Sequence, residues 1–412
     1  SKAVYLENLD TGLILYEKNA DEKMYPASLT KIMTAIVVLE NVKDLDGETA
    51  EYPMWIQNML YGTNASLGGL IVGEELTIRQ LLTSALVQSG NESAMILAGY
   101  VGSGGMADFM PRDITTFVEM MNDKAKALGC TGTHFTNPTG LHSDNTYTTA
   151  RDMAIMAKYA MQKSAFSSIV KNYAVQLGQT NKHADLWQYS TNKMLLTSSP
   201  YYYAPVVGIK TGSTDEAGRC VISQAEDSGY HYFCVVMGSP VTAAEPYQNF
   251  IETRQLYRWA FGNFSLRTLL EQGELMAEVP VKYSGDGKVA KLAIKEDVVQ
   301  LLRDDISLDS IIYKAELPEF VEAPIAAGDT VGKMHIMLMG EEIGTVELVA
   351  TQAYSLSWFR KALGTIGSLL SSTVAKVIFI VVVLAIAGYI VYAVRHNKKR
   401  KKHRSKYSDR NY

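Results

Sequence analysis

Apolar residues recur with a helical period in several segments of the first 275 residues. Residues 114–129 and 150–162 carry them three or four positions apart, as expected for amphipathic helices. Residues 28–40 are apolar on nearly all sides, which predicts a buried helix. Two further apolar runs, LTIRQLLTSALVQ and ESAMILAGY, predict buried helices on either side of Ser89-Gly90-Asn91.

Strand patterns occupy the later part of the chain. The runs CVISQA and YHYFCVVMG, joined by Glu226-Asp-Ser-Gly229, predict a β-hairpin. Residues 276–350 consist of short β-rich runs separated by Gly, Asp and Pro, which predicts a small all-β module. These runs are EVPVKYSG, KVAKLAIK, SIIYKAEL, KMHIMLMG and EIGTVELVA.

The predicted hairpin brings Cys220 and Cys234 nearly opposite each other. Two interpretations stay open, a cross-strand disulfide or two small buried core residues, and the second is favoured. Cys130 has no evident partner. Three cysteines are too few for a disulfide scaffold and lack the spacing of a zinc site, so no metal is expected.

A strongly apolar segment lies near the end of the sequence. Residues 377–394 are 18 residues without a charge, which just reaches the length needed to cross a hydrocarbon core of about 30 Å. Residues 395–412 carry nine Lys or Arg and one Asp, and such charge favours the cytoplasmic side. We expect one transmembrane helix preceded by a juxtamembrane amphipathic segment, 351–376, with residues 1–376 exported by a signal peptide that the given sequence lacks.

The charge distribution excludes one class of function. The chain has 412 residues, of which 47% are apolar, a globular balance that excludes intrinsic disorder. Its net charge of −4 combines +8 in residues 395–412 with −12 in the remainder. An acidic folded part lacks the basic face that nucleic-acid binding requires, so no nucleic-acid partner is expected.

Candidate chemistry begins where the buried helix over residues 28–40 starts. Ser28 and Lys31 are three positions apart and share one helix face. A lysine in apolar surroundings loses hydration, which lowers the pKa of its amine and lets it accept a proton. The same Ser-x-x-Lys spacing occurs at Ser168 and Ser190, but only Ser28 opens a long buried helix. The sequence therefore predicts Ser28 as nucleophile and Lys31 as its base.

Two more motifs accompany this pair. Ser89-Gly90-Asn91 lies in a turn between two buried helices, so both polar side chains can face a cleft. Ser143-Asp144-Asn145 has the same Ser-x-Asn pattern but lies in a polar loop, and we interpret it as a loop and cap segment. Lys210-Thr211-Gly212 occurs once, just before the predicted hairpin. Ser-x-x-Lys, Ser-x-Asn and Lys-Thr-Gly in this order are typical of penicillin-binding proteins and class A β-lactamases.

Longer blocks make the resemblance specific. They are GEELTIRQLLTSALVQSGNESAMILA, HFTNPTGLHSDNTYTTARDMA, STNKMLL, VGIKTGSTDEAGRCVIS and, in the β-module, APIAAGDTVGK. Over about residues 1–350 the chain resembles a low-molecular-mass penicillin-binding protein, a serine-type D-alanyl-D-alanine carboxypeptidase. Glu92 occupies a position at which the family pattern has Asp. Ser213, directly after Gly212, occupies a position at which the residue differs among family members.

The resemblance implies an α+β fold and a site. Residues 1–275 are expected to pack a helical subdomain on an antiparallel sheet, followed by the β-module as a stalk. Ser28 would attack the carbonyl between the last two D-alanines of a peptidoglycan stem peptide, Lys31 would accept its proton, and Ser89 would relay a proton to the leaving amine. The implied substrate-binding residues are Asn91, Lys210, Thr211 and Gly212, and the implied oxyanion hole is the backbone N–H groups of Ser28 and Ser213.

The resemblance also implies partners and a location. No cofactor is expected, β-lactams would be covalent inhibitors, and the protein would lie in a bacterial cell membrane with its catalytic part outside the cytoplasm. A role in cell-wall synthesis and cell shape follows from such a substrate.

Three other functions stay in competition. A D,D-endopeptidase of peptidoglycan cross-links would use the same motifs. A class A β-lactamase would need a Glu between the second and third motifs to activate water, but residues 120–209 contain no Glu. A non-catalytic β-lactam receptor is disfavoured by the intact motifs and by an 18-residue tail too short for a signalling domain.

Overall fold

The computed structural model describes residues 1–371 and 373–408, which divide into two compact units, Ser1–Ser265 and Leu266 onward. The division falls ten residues before the boundary at 275 that composition indicated, because the strand that starts at Phe264 belongs mainly to the second unit.

The elements of the first unit alternate between helices and short strands. In chain order they are β1 (Ala3–Asn8), β2 (Ile14–Lys18), α1 (Lys31–Asn41), β3 (Thr49–Glu51), α2 (Met54–Leu60), β4 (Glu75–Thr77), α3 (Ile78–Thr83), α4 (Asn91–Gly102), α5 (Pro111–Ala127), α6 (Ala150–Met161), α7 (Ser164–Val170), β5 (Ala174–Gln176), β6 (Trp187–Tyr189), β7 (Lys210–Thr214), β8 (Gly218–Asp227), β9 (Tyr230–Ser239) and α8 (Gln248–Asn263).

An antiparallel five-stranded sheet with the order β2-β1-β9-β8-β7 forms one layer of this unit. Helices pack on this sheet, among them α6 against β1 and β9 and α8 against β8 and β9. The most buried helices are α1 and α4, with Ile32, Ile36 and Ile96 fully enclosed. Side chains from these helices and from the sheet form one continuous core. The predicted α+β fold, with helices packed on an antiparallel sheet, is confirmed.

The predicted hairpin is confirmed as β8 and β9, with a shorter turn than expected. Glu226 and Asp227 still belong to β8, and only Ser228 and Gly229 turn, both with positive φ, the backbone that suits a two-residue hairpin. The register pairs Cys234 with Ser223, whereas Cys220 is paired with Gly212 of β7.

The register therefore keeps the two cysteines of the hairpin apart. Both are free and fully buried, and Cys130 is also free and buried. The interpretation as core residues is confirmed, and the alternative of a cross-strand disulfide is wrong.

The second unit is β-rich, as the sequence pattern predicted. Its elements are β10 (Phe264–Leu270), β11 (Leu275–Lys282), β12 (Val289–Ile294), β13 (Val298–Arg303), β14 (Ile311–Glu316), β15 (Val321–Glu322), β16 (Thr330–Leu338), β17 (Glu341–Ala350), α9 (Trp358–Ser371) and α10 (Thr373–Ser408). Six strands form a sheet in the order β14-β16-β17-β12-β11-β15 around a separate core. Strands β10, β13 and β15 lie outside the five runs that the pattern had singled out.

Helix α10 contains the apolar segment near the end of the sequence. Within it, residues Lys376–His396 are long and apolar enough to cross a membrane. In α9, exposed Trp358 and Phe359 lie with Leu363 and Ile366 among the apolar residues of the amphipathic segment. Part of the basic tail, residues 409–412, lies outside the described residues.

Candidate active site

Ser28 lies in a short 3₁₀ turn, Ala27–Thr30, that leads directly into α1. Two glycines allow other segments to approach this turn closely. A Cβ on Gly140 would lie 1.9 Å from the carbonyl oxygen of Ala27, and one on Gly212 would lie 2.9 Å from that of Pro26. Gly212 thus admits β7 against the turn that carries Ser28, and it also lines the cavity beside Ser28.

Lys31 is fully buried at the first position of α1 and contacts three oxygens. Its Nζ lies 3.0 Å from Ser28 Oγ and donates to Asn91 Oδ1 at 2.7 Å and to the carbonyl oxygen of Thr139 at 2.7 Å. The Asn91 and Thr139 oxygens can only accept. A neutral amine that donates to both keeps its lone pair for the third contact, the hydroxyl of Ser28.

Burial holds the pKa of Lys31 well below its usual range, because the charged amine would lose its hydration. The positive charge of Lys210 lowers it further, and the carboxyl of Glu92 opposes this in part. Glu92 is itself buried, which raises the pKa of its carboxyl, and one of its oxygens accepts from the N–H of Gly68 at 2.6 Å. The surroundings of Lys31 therefore favour its neutral, basic form.

Ser89 and Asn91 meet this pair from the turn between α3 and α4. A π-helical turn, Ser84–Gln88, ends at Ser89, whose left-handed backbone (φ 67°, ψ 29°) turns the chain into α4. Such a conformation is costly for a residue with a Cβ. The structure thus brings Asn91 to Lys31, while buried Ser89 lines the cavity beside Ser28.

Lys210, Thr211 and Gly212 lie on β7, the edge strand next to the Ser28 turn. Lys210 is buried, and this desolvation lowers the pKa of its amine to about 7. Its Nζ donates to the carbonyl oxygen of Thr211 at 3.1 Å, and Thr211 Oγ1 lies 2.5 Å from Thr191 Oγ1. Exposed Ser213 follows on the same strand and lines the cleft.

Ser28 lies where two cavities of about 430 Å³ each meet. The first is lined by Ser89 and Thr211, and we call it the carboxylate-side cavity. The second is lined by Asn91 and by the loop from Gly140 to His142, and we call it the acyl-side cavity. Ser213 lines both, so residues of all three motifs converge on one cleft.

The other copies of the motifs are placed elsewhere or differently. Ser143 lines neither of the two cavities at Ser28, and Asn145 contacts the His134 ring only through its backbone carbonyl oxygen, as suits a loop segment. Ser168 is exposed on α7, where its hydroxyl donates to the carbonyl oxygen of Ala165 at 2.9 Å. Ser190 lines the carboxylate-side cavity but accepts from the N–H of Asn192 at 3.2 Å.

Sequence reasoning missed several residues of the site. The carbonyl oxygen of Thr139 accepts from Lys31. Thr139 lies in the block HFTNPTGLHSDNTYTTARDMA, which contributed to the family resemblance, but the sequence suggested no role for Thr139 itself. Arg219 and Lys193 line the carboxylate-side cavity, 4.6 and 4.7 Å from the ring centre of Tyr247. Among the described residues, no group of three or more His, Cys, Asp or Glu side chains could hold a metal ion.

Comparison with known proteins identifies the family to which the chain belongs. A family profile described as D-alanyl-D-alanine carboxypeptidase, peptidase S11, matches residues 1–241, and one described as the C-terminal domain of penicillin-binding protein 5 matches residues 264–355. The D-alanyl-D-alanine carboxypeptidase DacF of Bacillus subtilis is 29% identical over 356 residues, covering 85% of each sequence. The crystal structure of penicillin-binding protein 5 from Haemophilus influenzae has a TM-score of 0.63 at 27% identity, covering 86% of this chain and 97% of that one.

The D-alanyl-D-alanine carboxypeptidase of Streptomyces sp. K15 is 33% identical over 241 residues, covering 57% of this chain and 79% of that protein. Fold and matches together define a serine hydrolase of the penicillin-binding class. The chain belongs to the D-alanyl-D-alanine carboxypeptidase family, and its activity is that of a serine-type D-Ala-D-Ala carboxypeptidase.

Proposed function

We propose that Ser28 is the nucleophile and Lys31 the base with which this protein removes the terminal D-alanine from peptidoglycan stem peptides. The observation that carries the proposal is the environment of Lys31. Its amine is fully buried, donates to two acceptors, and lies 3.0 Å from Ser28 Oγ. A neutral amine in this position takes the hydroxyl proton as the oxygen attacks the carbonyl carbon.

The other residues of the cleft complete the reaction. Ser89 relays the proton toward the leaving amine, and Asn91 holds Lys31 while its amide N–H groups face the substrate. The backbone N–H groups of Ser28 and Ser213 form the oxyanion hole, and the position of β7 at the edge of the sheet supports this assignment. Lys210 and Thr211 bind the terminal carboxylate, and Arg219 adds a planar guanidinium whose N–H groups can donate to the same carboxylate.

The proposal is tested with the detergent-solubilised full chain and a peptide that ends in D-Ala-D-Ala. We expect catalytic release of D-alanine and, with penicillin, an adduct on Ser28 that outlasts many peptide turnovers. Persistence is expected because residues 120–209 offer no Glu to activate a deacylating water. The adduct is located by mass spectrometry of the digested protein and its decay is timed. Rapid, repeated hydrolysis of penicillin would instead indicate a serine β-lactamase.

The membrane topology forms a second part of the proposal. In chain order, the catalytic unit and the β-rich unit lie outside the cytoplasm, α9 lies at the membrane surface, and residues 377–394 of α10 cross the bilayer. The length and apolarity of Lys376–His396 support this, together with the nine Lys or Arg of residues 395–412, which favour the cytoplasmic side.

The orientation can be checked in intact cells freed of their wall. Added protease should digest residues 1–370 and leave the basic tail protected, because the membrane shields it. Detection by an antibody against the tail should require permeabilised cells. Staining of the tail on unpermeabilised cells would contradict the orientation.

A further inference from the structure

The ring of Tyr247 contacts two cationic side chains of the carboxylate-side cavity. The guanidinium carbon of Arg219 lies 4.6 Å from the ring centre, and the amine of Lys193 lies 4.7 Å from it. Both distances are within the roughly 6 Å over which the negative face of an aromatic ring attracts a cation. Tyr247 lines the same cavity as the two cations, so these contacts are made on the side of the cleft that faces the leaving residue.

Arg219 depends on this ring for its orientation. Its guanidinium forms no hydrogen bond or ion pair with any residue in the described ranges, 1–371 and 373–408, and its Nε is buried without a partner. An arginine side chain has many rotamers and loses conformational entropy when it is held in one of them. The ring therefore restricts the guanidinium while it leaves the N–H groups available for a ligand.

Tyr247 is itself held in place at the start of α8. Its ring stacks on Phe250, with 5.7 Å between the ring centres and 16° between the planes, and meets Tyr201 edge-on at 5.3 Å. Oε1 of Glu245 accepts from the backbone N–H of Tyr247 at 2.9 Å and from the Tyr201 hydroxyl at 3.0 Å. The ring is thus a fixed surface against which a flexible cation can be oriented.

The strand register places Arg219 close to the residues that are proposed to bind substrate. Strand β8 starts at Gly218, and Arg219 pairs with Ser213 of β7, two residues after Thr211. In the proposed mechanism Ser213 supplies an N–H of the oxyanion hole and Thr211 binds the terminal carboxylate. Because the backbone already fixes Arg219 beside both, the rotamer of its side chain decides whether the guanidinium can share that carboxylate.

We infer that Tyr247 is a positioning residue of this enzyme: its ring holds the guanidinium of Arg219 in the orientation that binds the terminal carboxylate of the substrate. This role rests on the proposed function, which assigns the carboxylate to Lys210, Thr211 and Arg219. Tyr247 acts through Arg219 and not on the reacting atoms. Lys193, on the same ring, adds a second positive charge to this side of the cleft. A substrate without the terminal carboxylate gains nothing from the arrangement.

Two peptides that differ only in the last group test this role on the detergent-solubilised full chain, one ending in D-Ala-D-Ala and the other in D-Ala-D-alaninamide. Tyr247→Leu keeps an apolar side chain but removes the aromatic face. KM for the acid should therefore rise about tenfold, while kcat stays within about twofold. The rate on the amide should not change, because the amide has no carboxylate for Arg219, and this also shows that the variant is folded.

Two further variants keep a ring at this position. Tyr247→Phe retains the negative face and should behave as the unchanged protein. Tyr247→pentafluorophenylalanine has nearly the same shape as that phenylalanine but lacks the negative face, so it should reproduce the rise in KM. Tyr202→Leu, at an exposed tyrosine that does not line the cavity, is the matched control and should change neither constant.

A double-mutant cycle shows whether the ring acts through Arg219. Arg219→Gln should raise KM for the acid at least as much as Tyr247→Leu does, and the second change should then add about twofold or less. An equal loss on acid and amide, or the full tenfold loss in the Arg219→Gln background, would overturn the role of Tyr247, since the ring would then serve only packing. Failure of the unchanged protein to release D-alanine would contradict the proposed function itself, and the role of Tyr247 with it.

Discussion

Ser28→Ala should abolish both the release of D-alanine and covalent labelling by a fluorescent penicillin. The change removes the only atom that can form the acyl-enzyme in the proposed mechanism, and it leaves the buried helix α1 and its contacts in place. The expected labelling is therefore at background level, because among the described residues Ser28 has the one hydroxyl that is hydrogen-bonded to the amine of a fully buried lysine. Labelling is measured on a denaturing gel after a fixed exposure to the penicillin.

The matched control is the second copy of the same motif, which begins on α7. Ser168 and Lys171 have the spacing of Ser28 and Lys31, but both are exposed, and Ser168 donates to a backbone carbonyl. Ser168→Ala should be labelled like the unchanged protein. A strong signal that survives Ser28→Ala would refute the nucleophile assignment.

Lys31→Met should slow acylation by roughly 10²–10⁴-fold, the range for losing one general base. Methionine has nearly the shape of a neutral lysine side chain, so α1 can keep its packing. The carbonyl oxygen of Thr139 and the amide oxygen of Asn91 would lose their donor. The rate constant for penicillin acylation, followed by stopped flow or by timed quenching, gives the size of the effect.

Stability distinguishes a lost base from a damaged fold in this variant. Lys31→Met removes the free-energy cost of desolvating the amine, and this gain offsets the loss of a donor for the buried oxygens of Asn91 and Thr139. The variant should therefore unfold near the same temperature as the unchanged protein. Lys171→Met, at the exposed copy of the motif, should change neither acylation nor stability. Acylation by Lys31→Met at the unchanged rate would remove Lys31 from the mechanism.

The parts of the site that lie within one periodic segment could be predicted from the sequence. Ser28 and Lys31 share a run whose apolar residues predict a buried helix, and burial of Lys31 is what makes it basic. The turn at Ser89 was predictable as a break between two apolar helices. Its π-helical approach and left-handed backbone were not, because they depend on how α3 and α4 pack.

Contacts between distant segments account for most of what the sequence did not reveal. The carbonyl of Thr139 reaches Lys31 across 108 residues, and a backbone carbonyl leaves no mark on residue type. Arg219 precedes the predicted strand CVISQA and had no assigned role, and only the register of β7 and β8 places it opposite Ser213. The boundary after Ser265 was missed because β10 follows α8 without a turn residue between them.

The order of strands in the first sheet has a consequence for when the enzyme becomes active. Strand β1 lies between β2 and β9, and Ala3 pairs with Met237, so the sheet closes only after residue 239 is available. A hairpin of β1 and β2 alone is marginal in water, and contacts this distant in sequence form slowly. In the proposed topology β1, all six of whose residues end up buried, therefore waits unpaired and prone to aggregation during export, while most of the catalytic unit crosses the membrane.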